Sequence, residues 1–335
     1  MPQPTPGLAL EYVPCAGGAR LVRLFGDTPC PVLPAHVDGL PLAELGDYCF
    51  AQEMRETALP PEAALRRYTV PGACAPGGAA HRIGGAFLTS LTLPDSLRVI
   101  GSCAFYNCRS LEALALGAAP LALGSDVFLN TFALHTLFLR AAPDAFSPLE
   151  TLLVSLAGEV RAVFAPGETP LAAAHYPEYW EDIEETPAHI LLHAYSGQGY
   201  HYRQCFAGGV PRWEEYDAVF PMARAEDSPA VMAALSFDRL RWPFGLGSAA
   251  EADYRAFLGA QANAAALLKR LRTAQDTEAL RALLALDVLD ASALEAGAAE
   301  AARADAAPFA ALLTDALHCK QAGAPAAACR YTFDF

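Results

Sequence analysis

Leu88-Thr89-Ser90-Leu91-Thr92-Leu93, Leu111-Glu112-Ala113-Leu114-Ala115-Leu116 and Leu134-His135-Thr136-Leu137-Phe138-Leu139 are three copies of one pattern, L-x-x-L-x-L, each displaced 23 residues from the last. Other positions keep the same step: Gly101 and Gly124, Phe105 and Phe128, Asn107 and Asn130, with Ile100 and Leu123 as apolar partners. A unit of this length cannot close its own core. Copies must stack so that each covers the next, which predicts a solenoid whose short strands lie side by side in parallel.

Each position of the repeat has a physical reading. Side chains alternate along a strand, so the leucines point inward and the intervening residues point out. The outward set is Thr89, Ser90 and Thr92; Glu112, Ala113 and Ala115; His135, Thr136 and Phe138. It is small, polar and weakly charged, with one aromatic, which suits a protein or peptide ligand. The glycine frees the backbone to turn sharply, and the phenylalanine four residues on fills the far side of the coil. Asn107 and Asn130 either satisfy turn backbone groups in register or stand as exposed turn residues.

The pattern decays outward. Leu45-Gly46-Asp47-Tyr48-Cys49-Phe50 repeats the apolar-Gly-x-x-x-Phe element 55 residues before the Gly101 copy, which is two periods plus nine. The stretch from Glu53 to Gly85 is therefore expected to hold a degenerate repeat and an insertion, with Pro60-Pro61 and Pro71-Gly72 marking loop. Downstream, Val160-Arg161-Ala162-Val163-Phe164 reads as one more strand without its leucines.

The stretch from Leu93-Pro94-Asp95-Ser96-Leu97 through Ile100-Gly101-Ser102-Cys103-Ala104-Phe105-Tyr106-Asn107-Cys108 to Leu111 resembles the BspA-like leucine-rich repeat family of bacteria. Members of that family read roughly L-P-x-S-[VL]-x-x-I-G-x-x-A-F-x-x-C-x-x-L. The likeness covers about Gly39 to Pro166, and is looser around Val127 than around Ile100. It implies a curved solenoid used for protein or ligand contact, without catalysis. Many members are secreted and held at the cell surface, which keeps an adhesin as an alternative.

From Pro166 the repeat stops. Tyr176 to Glu185 is acidic and aromatic, and Ala188 to Tyr195 followed by Tyr200 to Phe206 reads as a hairpin turning at Ser196-Gly197-Gln198-Gly199. Four histidines fall here: His175, His189, His193 and His201. His189 and His193 have the spacing of a helical metal pair, but in a strand they stand about 13 Å apart. No metal and no cofactor are expected. An enzyme would have to use residues 175–206, and no nucleophile, phosphate or dinucleotide motif supports one.

From Ser228 the composition turns to Ala and Leu. Ser228-Pro229 reads as a helix start, and Ser248-x-x-Glu251 as a capping box opening a helix to Arg272. Helices over Asp276–Leu286, Ala291–Arg303 and Ala307–Leu317 follow, giving four or five helices in all. Their short loops resemble an ankyrin-like arrangement, without its T-P-L-H-x-A motif.

The whole reads as a mixed α and β, multi-domain chain. Residues 1–38 form an N-terminal β cap, 39–166 a leucine-rich-repeat solenoid with parallel strands, 167–227 an aromatic and acidic β-hairpin segment, 228–320 an all-α helical array and 321–335 a tail. Of 335 residues 53% are hydrophobic and 18% charged, enough apolar surface for packed cores. The net charge of −14 opposes binding to nucleic acid. No apolar run is long enough to span a membrane. Met-Pro-Gln-Pro-Thr-Pro at the start has no basic and apolar leader, and nine cysteines without a C-x-x-C pair read as free, mostly buried thiols. A cytoplasmic location is the expectation.

Overall fold

A computed structural model of the chain describes residues 3–53, 55, 59–72, 81–185 and 191–322. They divide into two compact units, residues 1–171 with 178–212, and residues 172–177 with 213–335.

In the first unit, strands Ser90–Thr92, Ala113–Gly117, Thr136–Arg140 and Val160–Phe164 form one parallel sheet. Ser90 lies beside Ala113 and Ala113 beside Thr136, so the 23-residue step of the sequence is the register of the sheet. The nine leucines of the three L-x-x-L-x-L copies are all buried. A second parallel ladder runs on the other side of the coil through Leu40–Leu45, Val99–Ile100 and Ala122–Leu123. Beyond it, Phe50 N donates to Ala104 O at 2.8 Å, and Phe105 N to Val127 O at 3.0 Å. The rings of Phe50, Phe105 and Phe128 consequently stack in a column, with centres 5.4 and 5.5 Å apart and planes within 2° and 6°. The fold is thus a leucine-rich, parallel-stranded solenoid.

Two expectations are corrected here. Gly101 and Gly124 do not supply a left-handed turn; that conformation falls on Cys103 and Asp126, two residues later. The glycines permit close approach instead. A Cβ on Gly101 would stand 2.6 Å from the backbone nitrogen of Asp47, and one on Gly124 would press on the backbone of Ser102. The stretch from Glu53 to Gly85 holds no degenerate coil among the described residues. The Gly46 coil stacks directly on the Gly101 coil, so their 55-residue separation is one period of 23 and an insertion of 32. The chain leaves at Gln52 and returns at Arg82, whose guanidinium holds the Ala51 and Gln52 carbonyls at 2.7 and 2.8 Å. Within the insertion, Arg66–Thr69 pairs with Ala9–Cys15 and His81–Arg82 with Gly18–Gly26.

Those two N-terminal strands form an antiparallel hairpin. Gly18–Gly26 also runs parallel to Leu40–Leu45, so the hairpin covers the first coil as a terminal unit must. Glu11 on this hairpin is buried and bridges Arg23 and Arg67. At the other end lies the short helix α1 (Leu149–Leu153).

The predicted hairpin is present one element earlier than expected: Trp180–Glu185 pairs antiparallel with Leu191–Ser196. Of Tyr200 to Phe206, read from sequence as strand, the first four residues lie in a helix, α2 (Gly199–Arg203), and Phe206 is in a short strand, Phe206–Ala207. The reason is Arg203. Its guanidinium is buried and donates to the carbonyls of Leu156, Gly158 and Gly199, the last at the start of its own helical turn.

The second unit contains strand Ala172–Tyr176 and helices α3 (Trp213–Glu226), α4 (Pro229–Arg241), α5 (Ser248–Gly259), α6 (Gln261–Thr273), α7 (Thr277–Ala285), α8 (Ala291–Arg303) and α9 (Ala307–Gln321). The single helix expected from Ser248 to Arg272 is two, because Ala260 is extended at φ −69° and ψ 127°. The expected capping box is not formed: Ser248 is the first helical residue and Gly247 the cap. Asp276 and Asp290 are the working caps, accepting from Ala279 N at 2.8 Å and Ala293 N at 2.7 Å.

Helix α6 packs on α8 and α7 on α9, as stacked pairs do. A second internal step, of 30 residues, underlies this. Gln275 and Asp305 both end their helices with a left-handed backbone, and buried Leu271, Ala279 and Leu283 recur as Ala301, Phe309 and Leu313. A buried ionic cluster ties α3, α4 and α5 together. Asp217 accepts from Arg239 Nε at 2.8 Å, from Arg239 Nη2 at 2.9 Å and from the Tyr254 hydroxyl at 2.8 Å. The guanidinium also lies 4.6 Å from the Trp213 ring centre. Burial alone would lower the Arg239 pKa, but the bonds to Asp217 hold it above its usual value.

Candidate interaction face

The parallel sheet sets the residues between the leucines in rows, although Thr136 and Val163 among them are buried. One row is Ser90, Ala113, Thr136 and Arg161; the next is Thr92, Ala115, Phe138 and Val163. Thr89, Glu112 and His135 stand just before them in another stacked row, since Glu112 N donates to Thr89 O and His135 N to Glu112 O. Glu112 and His135 are exposed, whereas Thr136 is buried, with its hydroxyl 2.8 Å from His135 Nδ1. Phe138 is 42% exposed between Ala115 and Val163, the one large ring on this part of the sheet.

The rows extend beyond the residues singled out in the sequence. On one side they continue into Arg161 and Val163, whose strand lacks the repeat's leucines and steps by 25 rather than 23 residues. On the other side the segment from Pro29 to Leu33 runs along Ser90–Thr92, with Thr92 N bonded to Pro31 O and Leu33 N to Thr92 O, both at 3.0 Å. It brings exposed Cys30 within 3.1 Å of Thr89 Oγ1. Hydrogen bonds from Ser90 and Thr89 lower the thiol's pKa. Nothing in the sequence around Cys30 carries the repeat, so periodicity had no means of finding it. Cys49 and Cys108, by contrast, are buried thiols with raised pKa values, burial being the main cause. The expectation of free thiols throughout fails at Cys319, which is disulfide-bonded.

His175 is buried in the second unit, where its amide and carbonyl both bond to the Tyr216 hydroxyl. His193 lies opposite Ile183 in the hairpin, His201 is exposed on α2, and His189 falls outside the described residues. Among the described residues no three His, Cys, Asp or Glu side chains are grouped to hold a metal ion, and no helix is long and apolar enough to cross a membrane.

No known protein family matches the chain, and no curated protein does. Among solved structures it is similar to a leucine-rich repeat protein of T. pallidum, at 21% identity and a TM-score of 0.25. That similarity covers 39% of this chain and 57% of the other, so the chain spans little more than half the length of the structure it matches.

Proposed function

We propose that this chain is a protein-interaction scaffold of the BspA-like leucine-rich-repeat kind, binding a protein or peptide partner through its solenoid sheet and performing no catalysis. The observation that carries the reading is Phe138, exposed on the sheet between Ala115 and the buried Val163, with small and polar side chains on the strands Ser90–Thr92 and Ala113–Gly117 apart from their leucines. Aromatic residues so placed are the usual anchors of protein contacts, and a solenoid offers an extended surface for them. Glu112 and His135 are exposed side by side three residues before Ala115 and Phe138 and set polarity at that end of the strands. The stacked pairs α6–α9 serve as a second, ankyrin-like contact surface.

The test is affinity capture from the native cell with the full chain, repeated with Phe138→Ala plus Glu112→Arg. Loss of a partner that the unaltered chain captures supports the face. Survival of every partner places binding elsewhere, and capture of none removes the main support for a scaffold.

A further inference from the structure

We propose that the partner segment taken by the solenoid sheet is proline-rich, in a polyproline II conformation, and crosses the strands from Phe138 to a cavity beside Thr92. This inference rests on the reading of that face as the binding surface and names the chemistry of its partner.

The row that holds Phe138 reaches farther than the repeats. Val32 stands beside Thr92, Thr92 beside Ala115 and Ala115 beside Phe138. The first three are half-buried. At the Val32 end lies a cavity of about 280 Å³, whose lining includes Pro4, Val32, Leu33, Thr92, Pro94 and Arg140. Arg140 follows Phe138 by two residues and so leaves the sheet on the same side. It lies opposite Gly117, where a Cβ would stand 2.4 Å from Asp95 Oδ1. The guanidinium reaches Asp95 Oδ1 through Nε at 2.9 Å and the Leu93 carbonyl through Nη2. Asp95 thus answers its charge, while Arg140 Nη1 and the Thr92 hydroxyl make no hydrogen bond among the described residues. The cavity offers mostly apolar walls and donors suited to a neutral carbonyl, with no net charge for an anion.

Spacing selects the conformation of the occupant. Thr92 and Phe138 are two strand spacings apart, about 9.6 Å. A β-strand repeats its same-side residues about every 6.7 Å, and two repeats overshoot to about 13 Å. Polyproline II returns to the same side at every third residue, about 9.3 Å on. Its carbonyls have no partner within the helix and are free to accept from Arg140 Nη1 and Thr92. Its prolines carry no N–H that Val32, Ala115 or Phe138 would leave unsatisfied. Charge sets the flank. Glu112 is exposed three residues before Ala115 and has no ion-pair partner among the described residues, so a Lys or Arg beside the proline stretch meets it.

The test uses the full chain and two synthetic peptides, with binding followed by calorimetry. The first repeats Leu-Pro-Pro with an arginine at each end, and the second holds the same residues with its leucines two apart. The second is expected to bind about tenfold or more weakly than the first, the scale of one aliphatic side chain left unburied. Thr92→Trp, which fills the cavity, is expected to weaken the first peptide by the same factor without moving the urea midpoint. Glu112→Gln, a surface change that leaves the fold alone, is expected to weaken it about two- to fivefold, the scale of an exposed ion pair. Equal binding of the two peptides, or binding moved by neither substitution, overturns the proposal. Binding of neither peptide, by a chain that does lose its captured partner on Phe138→Ala plus Glu112→Arg, overturns the proline-rich occupant and leaves the sheet face standing. Self-association seen by sedimentation and abolished by Thr92→Trp overturns the choice of occupant in favour of a second copy.

Discussion

Asn130 donates its side-chain amide to Asn107 Oδ1 at 2.9 Å, one repeat away, and both residues hold a left-handed backbone, at φ 62° and 59°. The sequence left open whether these asparagines served the turn or merely occupied it. They do two jobs: Asn tolerates the left-handed region better than other non-glycine residues, and its amide links successive coils. Replacing Asn130 by Ala should cost about 1–2 kcal/mol, combining backbone strain and the lost bond. Asn130→Gly keeps the backbone and loses only the bond, so its urea midpoint should fall less. Equal midpoints for the two variants would show that the left-handed conformation contributes nothing.

Phe105 is fully buried between Phe50 and Phe128. A rigid column cannot collapse around a missing ring, so Phe105→Ala should destabilise by about 3–5 kcal/mol. Phe132, 84% exposed, is the matched control, and Phe132→Ala should change stability by less than about 0.5 kcal/mol. Thermal or urea denaturation of the two variants decides it, and similar losses would mean that the column is not a core.

The repeat glycines should be irreplaceable for a reason unrelated to turning. Gly124→Ala drives a methyl group onto the Ser102 backbone and should cost about 1–3 kcal/mol, while Gly158→Ala, with nothing within 4 Å, should be tolerated. A neutral Gly124→Ala would mean that neighbouring coils separate easily.

In the second unit, Asp217 is the acceptor on which buried Arg239 and Tyr254 converge. Asp217→Ala strands a buried guanidinium and should cost about 3–5 kcal/mol. Tyr254→Phe removes the hydroxyl's bond to Asp217 and leaves the ion pair, and should cost about 1 kcal/mol. Denaturant midpoints showing the two variants alike would mean that Arg239 finds another partner or water.

The solenoid was legible because its repeated residues are distinctive. Leucine triplets, Gly and Phe at fixed offsets leave one frame, and that frame became the sheet register at Leu91, Leu114 and Leu137. The 30-residue step of α6–α9 went unread because Ala301 stands where Leu271 does, and Phe309 where Ala279 does, in a segment already rich in alanine. Position carries that repeat and residue type does not. Local pattern also misled where a distant partner decides. Tyr200 to Phe206 has strand composition, yet its first part, through Arg203, is helical, with Arg203 reaching the Leu156 carbonyl, and only Phe206 is strand. The candidate face was read in part: its alternation is local and visible, but Cys30 and Val32 arrive from 60 residues before the strand they extend, at Ser90 and Thr92.

The cysteines give a prediction with a pH sign. Burial pushes the Cys108 thiol up to about 12, and its Sγ donates to Phe50 O at 3.1 Å. In the unfolded chain a thiol titrates near about 8.5. Between these values the unfolded state has released a proton that the folded state keeps, so stability is fully present below about pH 8.5 and is lost as pH rises toward 12. Cys108→Ala should flatten that alkaline slope. The same burial should make Cys49 and Cys108 inert to a thiol reagent at neutral pH, while exposed Cys30, its thiolate favoured by Ser90 and Thr89, reacts first. Mass mapping of the modified cysteines against time reads this directly: early labelling of Cys108 in the folded chain would mean that the coil beneath Phe105 opens far more readily than its packing implies.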